Sequence, residues 1–202
     1  VAARRAFTCK NGYRDLVETK SWGEIIMWFD KYWSDVLLLS KNDGFRFWTE
    51  VYPMYKEDFN RCGIWFNENA DSGKAIVTEG ALEFRGNATV WAYNQSKVEL
   101  HDNARCTASN QTFVDCYDYT QVMLLDMSEC HAYVRSKVNA GGESVVDAYD
   151  ACTITAGDRS TVIAHSWNQI TAVGEAEVFA PSKYKIKILG QAKLTLKKPE
   201  EL

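Results

Sequence analysis

Residues 87–190 consist of thirteen consecutive octapeptides without an insertion or a deletion. The fourth position of every octad is Val, Ile or Cys, and the third and fifth positions are mostly polar. Apolar and polar residues that alternate with a period of two are typical of β-strands. A short strand that recurs at a fixed interval predicts a solenoid, in which each coil pairs with its neighbours.

The remaining positions indicate how the chain turns between strands. Position 6 is usually Ala, and position 2 is usually Ala, Ser, Thr or Cys, so the interior has room only for a thin core. Position 8 is usually Asn, Asp or Gly, the residues that accept the backbone geometry of a tight corner. Each octad therefore predicts one short strand followed by one corner.

Position 7 indicates how many octads form one coil. In every second octad over the middle of the repeat it is His or Tyr, namely His101, Tyr117, Tyr133, Tyr149 and His165. The intervening octads form no such column, since their residues at this position are Tyr93, Ser109, Leu125, Gly141, Gly157 and Val173. A column that recurs at every second octad predicts coils of two octads, whereas coils of three octads would scatter it. We therefore predict a mainly β fold, a two-sided parallel β-solenoid with 16-residue coils.

The segment before the repeat has a different composition. Residues 1–73 contain five of the seven Trp and no octad. Ser21 and Glu24 have capping-box spacing, and apolar residues follow at helical intervals, which predicts a helix over residues 21–38. Residues 40–44 are expected to form a loop, and Pro53 divides the aromatic segment 45–59 into two short pieces.

We therefore predict three parts of the chain. Residues 1–73 form a small, partly helical, aromatic-rich domain that ends in a first strand at 64–66. Residues 74–190 form the solenoid, with an irregular coil over 75–84 that leads into register. Residues 191–202 form a lysine-rich C-terminal cap or tail, whose charges keep the last strand from pairing onward.

The aromatic domain has two interpretations. Its rings form a small core that caps the open end of the solenoid, or some of its tryptophans are exposed and bind a partner. The five tryptophans are Trp22, Trp28, Trp33, Trp48 and Trp65.

Several functional classes are disfavoured by the sequence. It contains no phosphate-binding glycine loop, no Gly-x-Ser-x-Gly and no His-Glu-x-x-His motif, and the uninterrupted repeat leaves no groove for a substrate. We predict no enzymatic activity, no metal and no cofactor. His101 and His165 are four coils apart, about 19 Å, and cannot share a metal.

The cysteines and the apolar segments bear on the cellular setting. Cys106, Cys116, Cys130 and Cys152 occupy inward positions and no Cys-x-x-Cys occurs, so we expect reduced thiols. The N-terminal residues lack the apolar core of a signal peptide, and the apolar runs are too short to span a membrane. These observations favour a cytoplasmic protein.

Charge is distributed unequally between alternate octads. Those that begin at 95, 111, 127, 143, 159 and 175 contain ten acidic and two basic residues, whereas the other seven contain two acidic and six basic residues. In two-octad coils these sets fall on opposite faces, one of them acidic. Such a face attracts a basic partner, although surface acids also serve simply to keep a protein soluble.

The acidic face also carries the candidate binding site. Position 5 forms a column of acids interrupted by a histidine, and the position-7 rings lie beside it. The predicted partner-binding residues are Glu99, His101, Asp115, Tyr117, Glu129, His131, Tyr133, Asp147 and Tyr149. A structural interpretation of the same residues is a tyrosine ladder with a histidine that relieves repulsion between two aspartates. As an active site they offer acid and base groups but no pocket.

The opposite face is a weaker candidate. Its basic set, Arg105, Arg135 and Lys137, is sparse and interrupted, so nucleic acid is not expected as a direct ligand. Threonines are scattered over this face without the regular lattice that an ice-binding surface needs.

The octad at residues 87–94, Asn-Ala-Thr-Val-Trp-Ala-Tyr-Asn, resembles the short NATVxAYG repeats found in proteins of gut bacteria and their phages. The resemblance covers about half of the chain. It includes no catalytic motif, so it implies a repeat architecture and assigns no functional residue.

The leading hypothesis is a non-enzymatic interaction protein in which the acidic solenoid face, the N-terminal aromatic domain or both dock on a protein partner. One form of it is a phage-encoded inhibitor of a nucleic-acid-binding protein in the host cytoplasm, whose acids would stand in for phosphates. Its partner is a protein with a basic surface, and a homodimer is compatible with it. Two alternatives stay open: a structural spacer or virion component, and a carbohydrate-binding or carbohydrate-active solenoid.

Overall fold

The structure, a computed structural model, describes residues 21–202. The chain divides into two compact units between Ile64 and Trp65, earlier than the predicted boundary at residue 73. Residues 1–20, which belong to the predicted aromatic domain, lie outside the described residues.

The first unit is helical where it is described. It contains α1 (Trp22–Lys31), α2 (Trp33–Asn42), α3 (Arg46–Val51), a 3₁₀ turn (Tyr52–Met54) and α4 (Lys56–Arg61). The Ser21 hydroxyl accepts a hydrogen bond from the Glu24 N–H at 3.3 Å, so the predicted helix start is confirmed. The prediction of one helix over 21–38 is wrong, because Tyr32 leaves the helical backbone region at φ −112° and ψ 30°. The predicted loop at 40–44 is also shorter, since α2 continues to Asn42.

Aromatic side chains form the core of this unit. Trp48 is fully buried, and its ring centroid lies 5.7 Å from that of Phe59 and 6.2 Å from that of Trp33. Trp28 is buried as well. A small aromatic core is therefore confirmed for these tryptophans. Trp65 is half-buried in the second unit, and the Trp22 side chain lies outside the described part of the structure.

The second unit is built from short strands that alternate between two sheets. The strands are β1 (Ile64–Phe66), β2 (Lys74–Val77), β3 (Ala81–Phe84), β4 (Thr89–Ala92), β5 (Lys97–Leu100), β6 (Arg105–Ala108), β7 (Phe113–Cys116), β8 (Gln121–Leu124), β9 (Glu129–Ala132), β10 (Lys137–Ala140), β11 (Val145–Ala148), β12 (Thr153–Ala156), β13 (Thr161–Ala164), β14 (Gln169–Ala172), β15 (Glu177–Ala180), β16 (Ile186–Ile188) and β17 (Lys193–Leu196). A 3₁₀ turn at Pro199–Glu201 follows the last strand.

The two sheets divide these strands strictly by alternation. Sheet A has nine strands in the order β1-β2-β4-β6-β8-β10-β12-β14-β16, and sheet B has eight in the order β3-β5-β7-β9-β11-β13-β15-β17. From β2 onward the strand pairs are parallel, and Lys137 pairs with Thr153 just as Val145 pairs with Thr161, an offset of 16 residues in both sheets. The predicted two-sided parallel β-solenoid with two-octad coils is therefore confirmed.

The register extends beyond the thirteen octads at both ends. Ala81 of β3 pairs with Lys97 at an offset of 16, whereas Lys74 of β2 pairs with Thr89 at an offset of 15. Residues 75–84 therefore lie in a coil that is one residue short, so the predicted irregular coil that leads into register is confirmed. Lys193 of β17 pairs with Glu177, so the lysine-rich segment 191–202 also contains a strand of sheet B.

The core of the solenoid runs between the sheets and consists of side chains at octad positions 4 and 6. From Val90 to Ala180 these side chains are at most 5 % exposed. Position 2 lies at the corner, where a hydroxyl donates to the carbonyl of position 7 in the same turn, as Thr112 does to Ser109 at 2.8 Å. A buried hydroxyl is thereby paired, which explains why Ser and Thr are tolerated there.

Position 8 adopts left-handed backbone angles at most corners. Asn94, Asp102 and Gly142 have φ between 59° and 66°, a region that Asn, Asp and Gly tolerate. A side chain at Gly142 would place its Cβ 2.7 Å from the Asp126 carbonyl oxygen, so this corner requires glycine. Val134 is the exception, a β-branched residue at φ 61°.

Candidate functional site

The predicted partner-binding residues lie together on the outer side of sheet B and on the corner that follows it. Position 5 of successive strands is in register, so that Glu99 pairs with Asp115, Asp115 with His131, and His131 with Asp147. Glu129 is the first residue of β9, at position 3 of its octad, and lies on the same side of the sheet. We call this surface the acidic–aromatic face and define it by Glu99, His101, Asp115, Tyr117, Glu129, His131, Tyr133, Asp147 and Tyr149.

His131 lies between two carboxylates. Its Nδ1 is 3.2 Å from Asp115 Oδ1, and its Nε2 is 3.7 Å from Asp147 Oδ2. The ammonium group of Lys97 approaches the other Asp115 oxygen at 3.0 Å, and Asp115 is buried. The His131 imidazole separates two acids that parallel pairing would otherwise bring side by side, because adjacent coils are about 4.8 Å apart, and the Lys97 ammonium group compensates the charge of Asp115.

The imidazoles at position 7 continue this network. His165 Nε2 lies 3.2 Å from Asp147 Oδ1, and His101 Nε2 lies 2.9 Å from Glu99 Oε1. Each histidine of the solenoid therefore contacts a carboxylate of the position-5 column.

The position-7 rings form a continuous stack along the corner. Centroids are 5.0 Å apart for His101 and Tyr117, 4.8 Å for Tyr117 and Tyr133, 4.9 Å for Tyr133 and Tyr149, and 4.4 Å for Tyr149 and His165. Adjacent planes are within 9° of parallel. The spacing is that of the coils, so the stack follows from the register. Ring faces are covered by neighbouring rings, which leaves ring edges to contact a partner.

The phenols of this stack are held in the neutral form. The pKa of Tyr117 and of Tyr149 is raised, first by partial burial and then by the negative charge of the nearby aspartates. The pKa of Tyr133 is raised in the same direction, by burial and then by its two tyrosine neighbours. The stacked phenols therefore offer hydroxyl groups beside the carboxylates.

The acidic bias of these octads has a second origin, which sequence reasoning missed. Carboxylates at position 8 accept a hydrogen bond from the backbone N–H of the same corner in the preceding coil. Asp118 accepts from Asp102 at 3.2 Å, and Asp126, on the other corner, accepts from Asn110 at 3.0 Å. The recurrence of Asp at position 8 is the signal for this role, because Asn accepts the same backbone angles but offers no charged acceptor.

The potential metal ligands and thiols of the described residues are the groups from which a reactive site can be built. Among residues 21–202, no group of three His, Cys, Asp or Glu side chains is arranged to hold a metal ion. The described cysteines are free thiols, and Cys62 is exposed while Cys106, Cys116, Cys130 and Cys152 are buried. Burial raises the pKa of Cys152 to about 11 and also raises that of Cys106, which keeps these thiols protonated and unreactive.

The opposite sheet has a different outer surface. No Asp or Glu occurs in the nine strands of sheet A, whereas the strands of sheet B contain six. The basic residues in the strands of sheet A are Lys74, Arg105, Lys137 and Lys187, and most other outward side chains are Thr, Gln or Asn. The charge segregation expected from alternate octads is therefore present on the two sheets.

Comparison of this chain with protein-family models, with curated proteins and with solved structures finds no match. None of the helices within residues 21–202 has the length and apolar character that a membrane crossing requires.

Proposed function

We propose that this chain is a non-enzymatic interaction protein that binds the basic surface of a protein partner through its acidic–aromatic face. The observation that carries the proposal is the segregation of strand carboxylates, six on sheet B and none on sheet A. Acids that served solubility alone would have no reason to avoid one of two equally exposed sheets. A one-sided field instead orients an oppositely charged partner during encounter.

Support also comes from the rigidity of this face. The rings of Tyr117, Tyr133 and Tyr149 are packed against one another, and the carboxylate of Asp115 is fixed by two partners. Side chains that are ordered before binding lose little conformational entropy when a partner arrives. The face is therefore suited to a rigid protein surface.

The partner class that we propose is a nucleic-acid-binding protein. Such proteins carry contiguous Lys and Arg patches that neutralise phosphates along a strand. Glu99, Asp115, Glu129 and Asp147 would stand in for phosphates, and the protein would inhibit its partner by competing with nucleic acid. Competition with a nucleic acid ligand for the captured partner is the direct measurement of this step.

The test reverses the most accessible charges of the face. Asp115 is buried against Lys97 and His131, so its substitution would damage the fold as well as the surface. Glu99 is half-buried and Glu129 is exposed, which makes Glu99→Lys/Glu129→Lys the informative variant. Glu79→Lys/Glu175→Lys is the matched control, since both residues are exposed, lie outside the face and give the same change in net charge.

The experiment is affinity capture of a basic partner followed by titration of its binding with salt. The wild type and the control should retain the partner, the Glu99/Glu129 variant should lose it, and affinity should fall as salt rises. Thermal unfolding of all three proteins checks that the coils are intact. Undiminished binding by the Glu99/Glu129 variant contradicts the proposal. High-order self-association without a partner would instead favour a structural spacer.

A further inference from the structure

One corner of the solenoid departs from the repeat. Position 2 is otherwise a small residue or Asn, and in every octad from Ala88 to Ala176 it is buried or nearly so. In the octad 183–190 this position is Tyr184, whose side chain turns outward and is 58 % exposed. The backbone changes with it, because Lys185 takes left-handed angles at φ 60° and its carbonyl accepts a hydrogen bond from the Ile170 N–H at 3.0 Å.

A second aromatic side chain lies next to Tyr184. Trp167, at position 1 of the preceding coil, is 78 % exposed, the most exposed large hydrophobic side chain among the described residues. The two ring centroids are 5.8 Å apart at an interplanar angle of 65°, an edge-to-face contact that leaves most of the Trp167 ring open to solvent. This arrangement differs from the stacked rings of the acidic–aromatic face, whose faces are occupied.

Lysines lie next to Tyr184. Lys183 and Lys185 flank Tyr184 in the chain, and Lys185 Nζ lies 5.4 Å from the centroid of the Tyr184 ring. An open cleft of about 340 Å³ adjoins them and is lined by Gln169, Lys185, Ile186 and Lys187. The neighbouring strands β14 and β16 contain no acidic residue. We call Trp167, Lys183, Tyr184, Lys185 and Lys187 the aromatic–basic corner.

We infer that the aromatic–basic corner binds nucleoside phosphates, either as free nucleotides or within a single strand of nucleic acid. A base stacks on the open face of Trp167, and a phosphate group is held by the ammonium groups beside the cleft. Ammonium groups only donate hydrogen bonds, which suits a phosphate, whose oxygens only accept. A neutral sugar also needs acceptors for its hydroxyl groups, and among the side chains of the corner and the cleft only the Gln169 amide and the Tyr184 hydroxyl can accept.

The site differs from the basic set singled out in the sequence, Arg105, Arg135 and Lys137. Beside that set lies Tyr119, whose hydroxyl accepts a hydrogen bond from the Arg135 guanidinium group at 3.0 Å and whose ring centroid lies 5.9 Å from that group. The aromatic–basic corner is also separate from the acidic–aromatic face, so either proposal can fail without the other.

The test is fluorescence anisotropy of a labelled oligothymidylate, with thymidine mono- and triphosphate as competitors. Trp167→Ala should weaken binding about tenfold, because stacking of one base is lost, and Trp167→Phe should restore most of the affinity. Tyr119→Ala is the matched control, an exposed tyrosine on the same corner of the solenoid. Competition by free nucleotide identifies a mononucleotide site, and its absence identifies a single-strand site.

Salt dependence tests the lysines. With three phosphate contacts the logarithm of affinity should fall with the logarithm of salt at a slope of about −2, and Lys183→Ala should reduce the slope by about 0.7. Absence of binding at low salt overturns the inference, as does equal binding by the wild type and Trp167→Ala. Binding to anionic vesicles through Trp167, without binding of either nucleotide probe, would overturn it in favour of a lipid surface.

Discussion

The two sheets of the solenoid have the same inside and different outsides. Val or another small apolar residue fills position 4 on both sheets, and Ala fills most of position 6. Outside, sheet B bears carboxylates, imidazoles and a ring stack, whereas sheet A bears Thr, Gln, Asn and scattered basic residues. The alternation of side chains in a strand allows this division, because consecutive residues belong to different surfaces.

The comparison teaches that fold and function occupy different octad positions. The thin core restricts the residue types at positions 4 and 6 in the same way on both sheets, so the same types recur there every eight residues. The side chains at positions 3, 5 and 7 face solvent or a partner, and where a residue type recurs at these positions it does so every sixteen residues. A residue that is regular only at the longer period is therefore a better candidate for binding than one regular at the shorter period.

The largest expected effect tests the equivalence of the interiors. Leu100 in sheet B and Leu124 in sheet A both occupy position 6 and are fully buried. Leu100→Ala and Leu124→Ala should each lower the free energy of unfolding by about 3 kcal/mol, because each change removes a fully buried side chain and leaves a cavity between the two sheets. Urea-induced unfolding followed by circular dichroism measures both. A difference much larger than 1 kcal/mol between them would break the equivalence.

An intermediate effect is expected where the two sheets differ. Tyr133 is stacked on both sides, so Tyr133→Ala should lower the free energy of unfolding by about 2 kcal/mol through the loss of two ring contacts. Tyr133→Phe keeps both contacts and should resemble the wild type. Leu125→Ala, at position 7 of the other corner, should cost less, because that side chain is already partly exposed. Thermal unfolding compares the three variants, and equal losses for Tyr133→Ala and Leu125→Ala would show that the ring stack adds nothing to stability.

The smallest effect concerns equivalent residues on the two corners. Val134 and Asn110 both have left-handed angles, and each N–H donates to an aspartate of the next coil, Asp150 or Asp126. A β-branched residue is strained in this region, so Val134→Asn should raise the free energy of unfolding by about 1 kcal/mol.

The reciprocal change supplies the control for this prediction. Asn110→Val introduces the same strain on the opposite corner and should lower the free energy of unfolding by a similar amount. Chemical denaturation of the two variants measures the pair. If Val134→Asn is neutral while Asn110→Val destabilises, the strain at Val134 is relieved by contacts that the Asn110 corner lacks.

The solenoid was largely predictable because its repeat specifies the fold at every eighth residue. Thirteen apolar residues at position 4 define the strands, and the column through Tyr117 and Tyr133 defines the coil length. The helical unit lacks such redundancy. Tyr32 ends α1 and precedes α2 without glycine or proline, so no local signal marks the break.

The location of the candidate site could be predicted from the sequence, but the roles of all its acidic residues could not. Register alone places His131 between Asp115 and Asp147, and that neighbourhood follows from the sequence. The role of corner aspartates such as Asp118 does not, because it depends on a backbone N–H that points along the solenoid axis. The outward turn of Tyr184 could not be predicted either. Its octad has the usual length, but the backbone at Lys185 takes left-handed angles that the repeat does not indicate.

The offset of 16 residues that holds between paired strands from β3 onward has an evolutionary consequence. A duplication or loss of sixteen codons within the repeat adds or removes one whole coil and leaves every other strand with a neighbour of the same pattern. Each such event changes the length of both outer faces by about 4.8 Å. Recombination between similar repeats can therefore adjust the length of the binding footprint in fixed increments while the fold is preserved.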